Sequence, residues 1–162
     1  MLDPFGTAAD RFRLPATGPT DDMHPGWPES TPFVRLPASA VFPSGARMRL
    51  RPLLRSDGHE WRRQRIEDES FLRSVEPTQA APWAAAHSQQ AWWNHLMYLR
   101  TAAREALVIP LVIEVEGKFA GQVTLGNIQH GSIRDCWIGY WVHSKQTGQG
   151  VATAAVALGV DH

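Results

Sequence analysis

The chain has 162 residues, 43% of them hydrophobic, and its 16 basic and 16 acidic residues give a formal net charge of zero. That length suits one domain, since a chain of about 150 residues buries roughly 70% of its unfolded surface around a single core. The charge balance leaves no electrostatic footprint for nucleic acid or for a membrane surface, and a lone cysteine, Cys136, excludes an internal disulfide and fits a reducing compartment.

Eight of the twelve prolines precede Gly45, among scattered Gly, Ser, Thr and Asp. Such a segment buries too little apolar surface to offset its ordering entropy, so residues 1–44 are expected to be a Pro-rich disordered leader and residues 45–162 the folded domain. The start of the leader lacks the basic and apolar regions of a secretion signal. No run reaches the roughly 18 apolar residues of a membrane span, which makes the cytoplasm the expected location.

Arg47 to Leu53 alternates as a strand, and Ser56-Asp57 with Glu60 three residues on predicts a capped helix ending near Glu67. Trp61 is its core anchor. Phe71 to Pro77 reads as a loop or short helix broken by Pro77. A long helix is predicted from Ala84 to Arg104, with Trp92, Leu96 and Leu99 on one buried face. Leu107 to Val115 is a buried strand in which Pro110 implies an irregular or edge position. A tight turn at Glu116-Gly117-Lys118 leads into Phe119 to Ile128, and a loop over Gln129 to Arg134 leads into a last strand that ends at Val142. Cys136 is expected inside that strand as a buried, inert thiol. The order is β-α-α-β-β-β-α.

The most chemical feature is the junction His143-Ser144-Lys145-Gln146-Thr147-Gly148-Gln149-Gly150-Val151-Ala152, between the last strand and an Ala- and Val-rich segment with helical character. Gly148 and Gly150 allow positive φ and close approach of a ligand oxygen to the backbone amides. A helix starting near Gly148 would add unpaired amides and the positive end of its dipole. Together these favour a pyrophosphate. The spacing does not fit a G-x-x-x-x-G-K-[ST] loop, and Thr153 stands where a dinucleotide fingerprint has its third Gly or Ala. The histidines show neither an H-x-x-x-H nor a Cys/His cluster, so no metal site is expected.

These residues resemble the coenzyme A pyrophosphate loop of the GCN5-related N-acetyltransferases, whose pattern is Arg or Gln, two residues, Gly, one residue, Gly or Ala. Lys145 takes the first place here, and Gly148 and Gly150 the other two. Upstream, Arg49-Leu50-Arg51-Pro52-Leu53 with Asp57 and Trp61 resembles the opening strand and helix of the ribosomal-protein alanine N-acetyltransferase group, and Ile138-Gly139-Tyr140-Trp141-Val142 resembles its fourth strand. The resemblance covers about Arg47 to His162.

It implies an α+β fold, the N-terminal part of the acyl-CoA N-acyltransferase fold, with a mixed, mainly antiparallel sheet flanked by helices. It also implies acetyl-CoA as cosubstrate and direct transfer of the acetyl group to a primary amine, such as the N-terminal residue of a ribosomal protein. Backbone amides around Trp141 and Val142 would take the pantetheine arm, and Lys145, Gln146, Thr147, Gly148, Gln149, Gly150, Val151 and Ala152 the pyrophosphate. The family often carries a carboxylate just before Ile138, where this chain has Trp137. Glu76 is therefore the preferred base, ahead of Glu114, His143 and His130. The family continues through another strand, a helix and two further strands, so the resemblance implies a C-terminally truncated domain. Two readings follow: an acetyl-CoA-dependent N-acetyltransferase, inactive if it is only a fragment, or a catalytically dead remnant or interaction protein that self-associates through an open sheet edge.

Overall fold

The structure, a computed structural model, describes residues 29–162. The expected leader over residues 1–28 lies outside the described residues. From there to residue 44 the leader reading is corrected, because Val34–Leu36 forms a strand, β1, antiparallel to β2 at Ala46–Pro52. Thr31 extends the pairing: its amide donates to the Leu50 carbonyl and its hydroxyl accepts from the Leu50 amide, both at 2.9 Å. Leu36 is buried by this pairing.

A 3-10 turn at Arg55–Asp57 leads into α1, Gly58–Glu67, and then the short α2, Glu69–Leu72. Asp57 precedes α1 but its side chain does not cap it. The carboxylate instead accepts from the Leu54 amide at 2.7 Å and from both terminal nitrogens of Arg51 at 2.9 and 2.8 Å. A guanidinium outcompetes a helix amide because both partners are charged.

The predicted long helix is two helices, α3 at Trp83–Ala86 and α4 at Gln89–Arg104. The break falls at His87-Ser88, where the Ser88 hydroxyl accepts from the Ala91 amide and starts α4. Trp92, Leu96 and Leu99 form the buried stripe of α4.

The chain then runs as a meander: β3, Val108–Val115; β4, Lys118–His130; and β5, Arg134–Val142. Gln129 and His130, expected in a loop, extend β4 and pair with Asp135 and Arg134. The sheet has the order β1-β2-β3-β4-β5, and every pairing among the described residues is antiparallel. Pro110 sits in the central strand without penalty, since the β2 ladder stops at Pro52 opposite Leu111 and no amide is needed beyond it.

β3 is buried along its whole length because both faces of the sheet are covered. On one face, Ile109, Leu111, Ile113 and Val115 join Met48, Leu50, Val123 and the last helix, α5, Val151–Asp161. On the other, Val108, Val112 and Phe119 pack with Trp61 of α1 and Trp92, Leu96 and Leu99 of α4. Cys136 lies in β5 as expected, but it is exposed, which corrects the buried-thiol reading. Cys136 shares a face with Ile138, and α5 covers that face only as far out as Ile138, which packs near Gly159.

Candidate active site

The Gly-rich junction forms a cradle at the end of β5. After a 3-10 turn at Ser144–Gln146, Gly148 and Gly150 adopt φ of 72° and 79°, the left-handed region expected of them. A Cβ added at either would meet nothing within 4 Å, so packing does not demand glycine there; the backbone conformation does. The helix begins at Val151 with Gly150 as its N-cap, later than the Gly148 start expected. Its first backbone bond runs from the Ala154 amide to the Gly150 carbonyl at 3.0 Å, leaving the amides of Val151, Ala152 and Thr153 without an intrahelical partner. Open space above unpaired amides at a helix N-terminus fits an anionic pyrophosphate.

The strand leading into the cradle sorts its amides. The His143 amide bonds the Ala120 carbonyl at 2.9 Å, so alternation turns the Val142 amide to the outer edge of β5 and that of Trp141 inward to β4. Of the two expected pantetheine contacts, only Val142 presents its backbone outward. Lys145 is engaged rather than waiting for a ligand: its Nζ lies 2.9 Å from Glu67 Oε2.

The cradle is tied to α1 and α2 by Asp68, which is 3% exposed. Its carboxylate accepts from His143 Nδ1 at 2.9 Å, the Ser144 amide at 2.8 Å and the Ser144 hydroxyl at 2.5 Å. Burial pushes the Asp68 carboxyl up, but the Ser144 and His143 hydrogen bonds outweigh it and hold the group below its ordinary value. His143, a reserve candidate for the base, is thereby committed to this joint.

On the α1/α4 face of the sheet, beside the cradle, lies a cleft of about 540 Å³. Its walls come from Trp61 and Arg65 of α1, Glu76 and Pro77, His95 of α4, Gln122 and Thr124 of β4, and Trp137 and Trp141 of β5, among others. Trp137 lies flat across two glycines: a Cβ at Gly126 would stand 2.3 Å from its ring and one at Gly139 2.8 Å. The position where a carboxylate was sought is thus an aromatic floor, 52% exposed.

Glu76 is in the wall, bonded to Arg65 Nη2. The Arg65 guanidinium is held in turn among the rings of Trp61, Trp83 and Trp141, at 5.3, 5.6 and 5.3 Å from their centroids. Glu114 lies elsewhere, spanned by Arg49 at 2.8 Å and Arg51 at 2.6 Å. His130 is bonded through Nε2 to the Ala106 carbonyl at 2.8 Å. Of the candidate bases, Glu76 alone lines the cleft.

Sequence reasoning missed His95, Gln122 and Asp68. His95 interrupts the apolar stripe of α4 one turn after Trp92, which is the signal that could have singled it out. Gln122 and Asp68 carry no such local sign.

The acetyltransferase (GNAT) domain family matches residues 47–162. Among solved structures, Mycobacterium smegmatis RimJ in complex with CoA-disulfide is 42% identical with a TM-score of 0.78, the match covering 86% of this chain and 63% of that one. The chain therefore spans less than two thirds of that relative's length. The ribosomal-protein-S5-alanine acetyltransferase from Vibrio fischeri is 19% identical (TM-score 0.62, covering 79% of this chain and 66% of that one) and shares the fold. So does RimL, a ribosomal L7/L12 alpha-N-protein acetyltransferase, in complex with coenzyme A (18% identity, TM-score 0.60, 80% and 67% coverage). None of the curated proteins compared matches the chain. With a family match over most of its length and a relative of 42% identity, the chain belongs to the GNAT acetyltransferase family.

Proposed function

We propose that this chain carries the acetyl-CoA site of an N-acetyltransferase that transfers acetyl to a primary amine, such as a protein N-terminus. The observation that carries the reading is the cradle: two left-handed glycines with open space above them, followed by a helix with unpaired first amides. Its neighbour in structure space, RimJ with CoA-disulfide, supports the same ligand.

The acetyl-CoA thioester supplies the activated acyl group. The Val142 backbone at the outer edge of β5 receives the pantetheine arm, and the backbone of the cradle from Gln146 to Ala152 receives the pyrophosphate. The amine enters from the aromatic cleft, where its nitrogen bonds the acyl carbon as the C–S bond breaks and the thiolate departs. Only the neutral amine attacks, so a proton must leave the nitrogen, and Glu76 takes it directly or through water. Arg65 fixes the orientation of that carboxylate.

Calorimetric titration of the 162-residue chain with acetyl-CoA tests the reading. Micromolar affinity that vanishes in Gly150→Glu, where a carboxylate would enter the anion cradle, is expected. Equal affinity in the variant would sink the cradle assignment.

The second reading, a remnant or interaction protein, draws on the outer edge of β5, which has no strand partner among the described residues and carries Trp137 and Tyr140 more than half exposed. It predicts concentration-dependent association in sedimentation, without acetyl-CoA binding.

A further inference from the structure

We propose that the acceptor amine is seated by His95 and Gln122, whose lone-pair atoms receive its N–H groups and hold its nitrogen against the acetyl carbon. The inference rests on the acetyltransferase reading and names the part of the cleft that reading leaves open.

Four buried side-chain atoms of the cleft wall lack a hydrogen-bond partner within the protein: the donors Trp61 Nε1 and Arg65 Nε, and His95 Nε2 and Gln122 Oε1. Buried polar atoms are ordinarily satisfied, and each that is not calls for an explanation. Of these, His95 and Gln122 can accept a hydrogen bond, the imidazole through the lone pair of its unprotonated nitrogen and the amide through its carbonyl. Gln122 holds its other end by donating to the Thr124 hydroxyl at 3.2 Å, and His95 stacks on Trp61 at 5.3 Å with 25° between the rings. Both acceptors are therefore fixed before any ligand arrives. Burial, with the nearby Arg65 guanidinium, pulls the His95 imidazole down to about 4 against the opposing effect of the adjacent Gln122 side chain, so at neutral pH the ring is uncharged and one ring nitrogen keeps its lone pair.

Their position is as informative as their chemistry. Gln122 pairs with Trp141 across the β4–β5 ladder, next to Val142, whose backbone faces the outer edge where the thioester arm would lie. Trp137, 52% exposed, lines the same cleft, and its ring face favours an ammonium group on its way in. Two acceptors among aromatic rings suit an amine that arrives as a cation and gives up one proton.

The test uses the full chain labelled with nitrogen-15 at histidine, alaninamide as the amine probe, and His95→Phe and Gln122→Met as variants that keep shape but remove the acceptor atom. Coenzyme A affinity is measured in parallel by calorimetry. The expected result is a shift of the His95 ring-nitrogen resonance on adding alaninamide and at least tenfold weaker probe binding in either variant, a loss of about 1.4 kcal/mol. Coenzyme A affinity should stay unchanged. A stationary His95 resonance, or wild-type probe affinity in both variants, overturns the seat even where coenzyme A binds. A chain that binds alaninamide at His95 but not coenzyme A would support the seat and overturn the acetyl-CoA reading, so the two failures are distinguishable.

Discussion

Replacing Asp68 with Asn tests whether the cradle is positioned by α1 and α2. The wild-type carboxylate satisfies three donors, His143 Nδ1, the Ser144 amide and the Ser144 hydroxyl. Asn keeps one acceptor oxygen and presents an NH₂ group where the other stood, so a donor faces a donor in a site where Asp68 and His143 are 3% exposed each. Hydrogen bonds to a charged group contribute roughly 1.5–3 kcal/mol, and breaking a buried ion pair outright costs about 3–5 kcal/mol. With one oxygen retained, a loss of about 2 kcal/mol is expected, a fall in Tm of roughly 4–8 °C for a domain of this size. Because Ser144 opens the turn into the cradle, acetyl-CoA affinity should fall about tenfold as well. Scanning calorimetry gives the first quantity and titration calorimetry the second. A variant that melts like the wild type would refute the energetic argument, and one that loses stability but keeps full affinity would refute the positioning role.

Glu76→Gln should lower acetyl transfer at least a hundredfold, a typical contribution of a base, roughly 10²–10⁴, with acetyl-CoA affinity within twofold of wild type; equal turnover removes Glu76 as the base. Stability should fall in two stages with acid. His95, at about 4 in the fold, stays neutral while the unfolded chain takes up a proton below about 6.5, so its stabilisation, complete above pH 6.5, is lost as pH falls towards 4, about 3 kcal/mol in all. His87, lowered chiefly by burial, acts in the same sense. Asp68 and Glu114 are held below their ordinary values, so their stabilisation is complete above about pH 4 and is lost below it. Urea titrations from pH 7 to 4 check the first stage, and His95→Phe should flatten it; an unchanged slope in that variant refutes the assignment.

The sheet was legible because its signals are local. Alternation in Arg47 to Leu53, the apolar run of Leu107 to Val115 and the Glu116-Gly117 turn each follow from a few adjacent residues, and Glu116 and Gly117 do take φ of 49° and 73°. The two left-handed glycines of the cradle were legible for the same reason. β1 was not, since a three-residue strand among prolines gains its stability from β2, 10 residues away, rather than from its own pattern. Ser88 did carry a capping signal, but the surrounding alanines read as continuous helix. Asp57 looked like a cap and is one partner of Arg51, and only the fold brings Arg51 over it. The cleft shows the same limit at the site: His95 on α4 and Gln122 on β4 have no sequence relation, and it is the packing of α4 on the sheet that brings both to one wall.

β5 serves both halves of the site. Its odd-numbered residues Trp137, Gly139 and Trp141 line the cleft, and its end carries the cradle. Its distance from β4 should therefore set both at once, and Gly121 controls that distance. A Cβ at Gly121 would stand 2.1 Å from the Trp141 carbonyl oxygen, closer than any real contact, and 3.0 Å from Val142 Cα, and both of these atoms are backbone. Gly121→Ala must push β5 outward or break the ladder there, costing about 1–3 kcal/mol by analogy with overpacking. In a folded variant, acetyl-CoA affinity and alaninamide affinity should fall together, whereas Gly150→Glu should impair only the first. Independent responses in Gly121→Ala would mean that the cradle and the cleft are not positioned by the same strand.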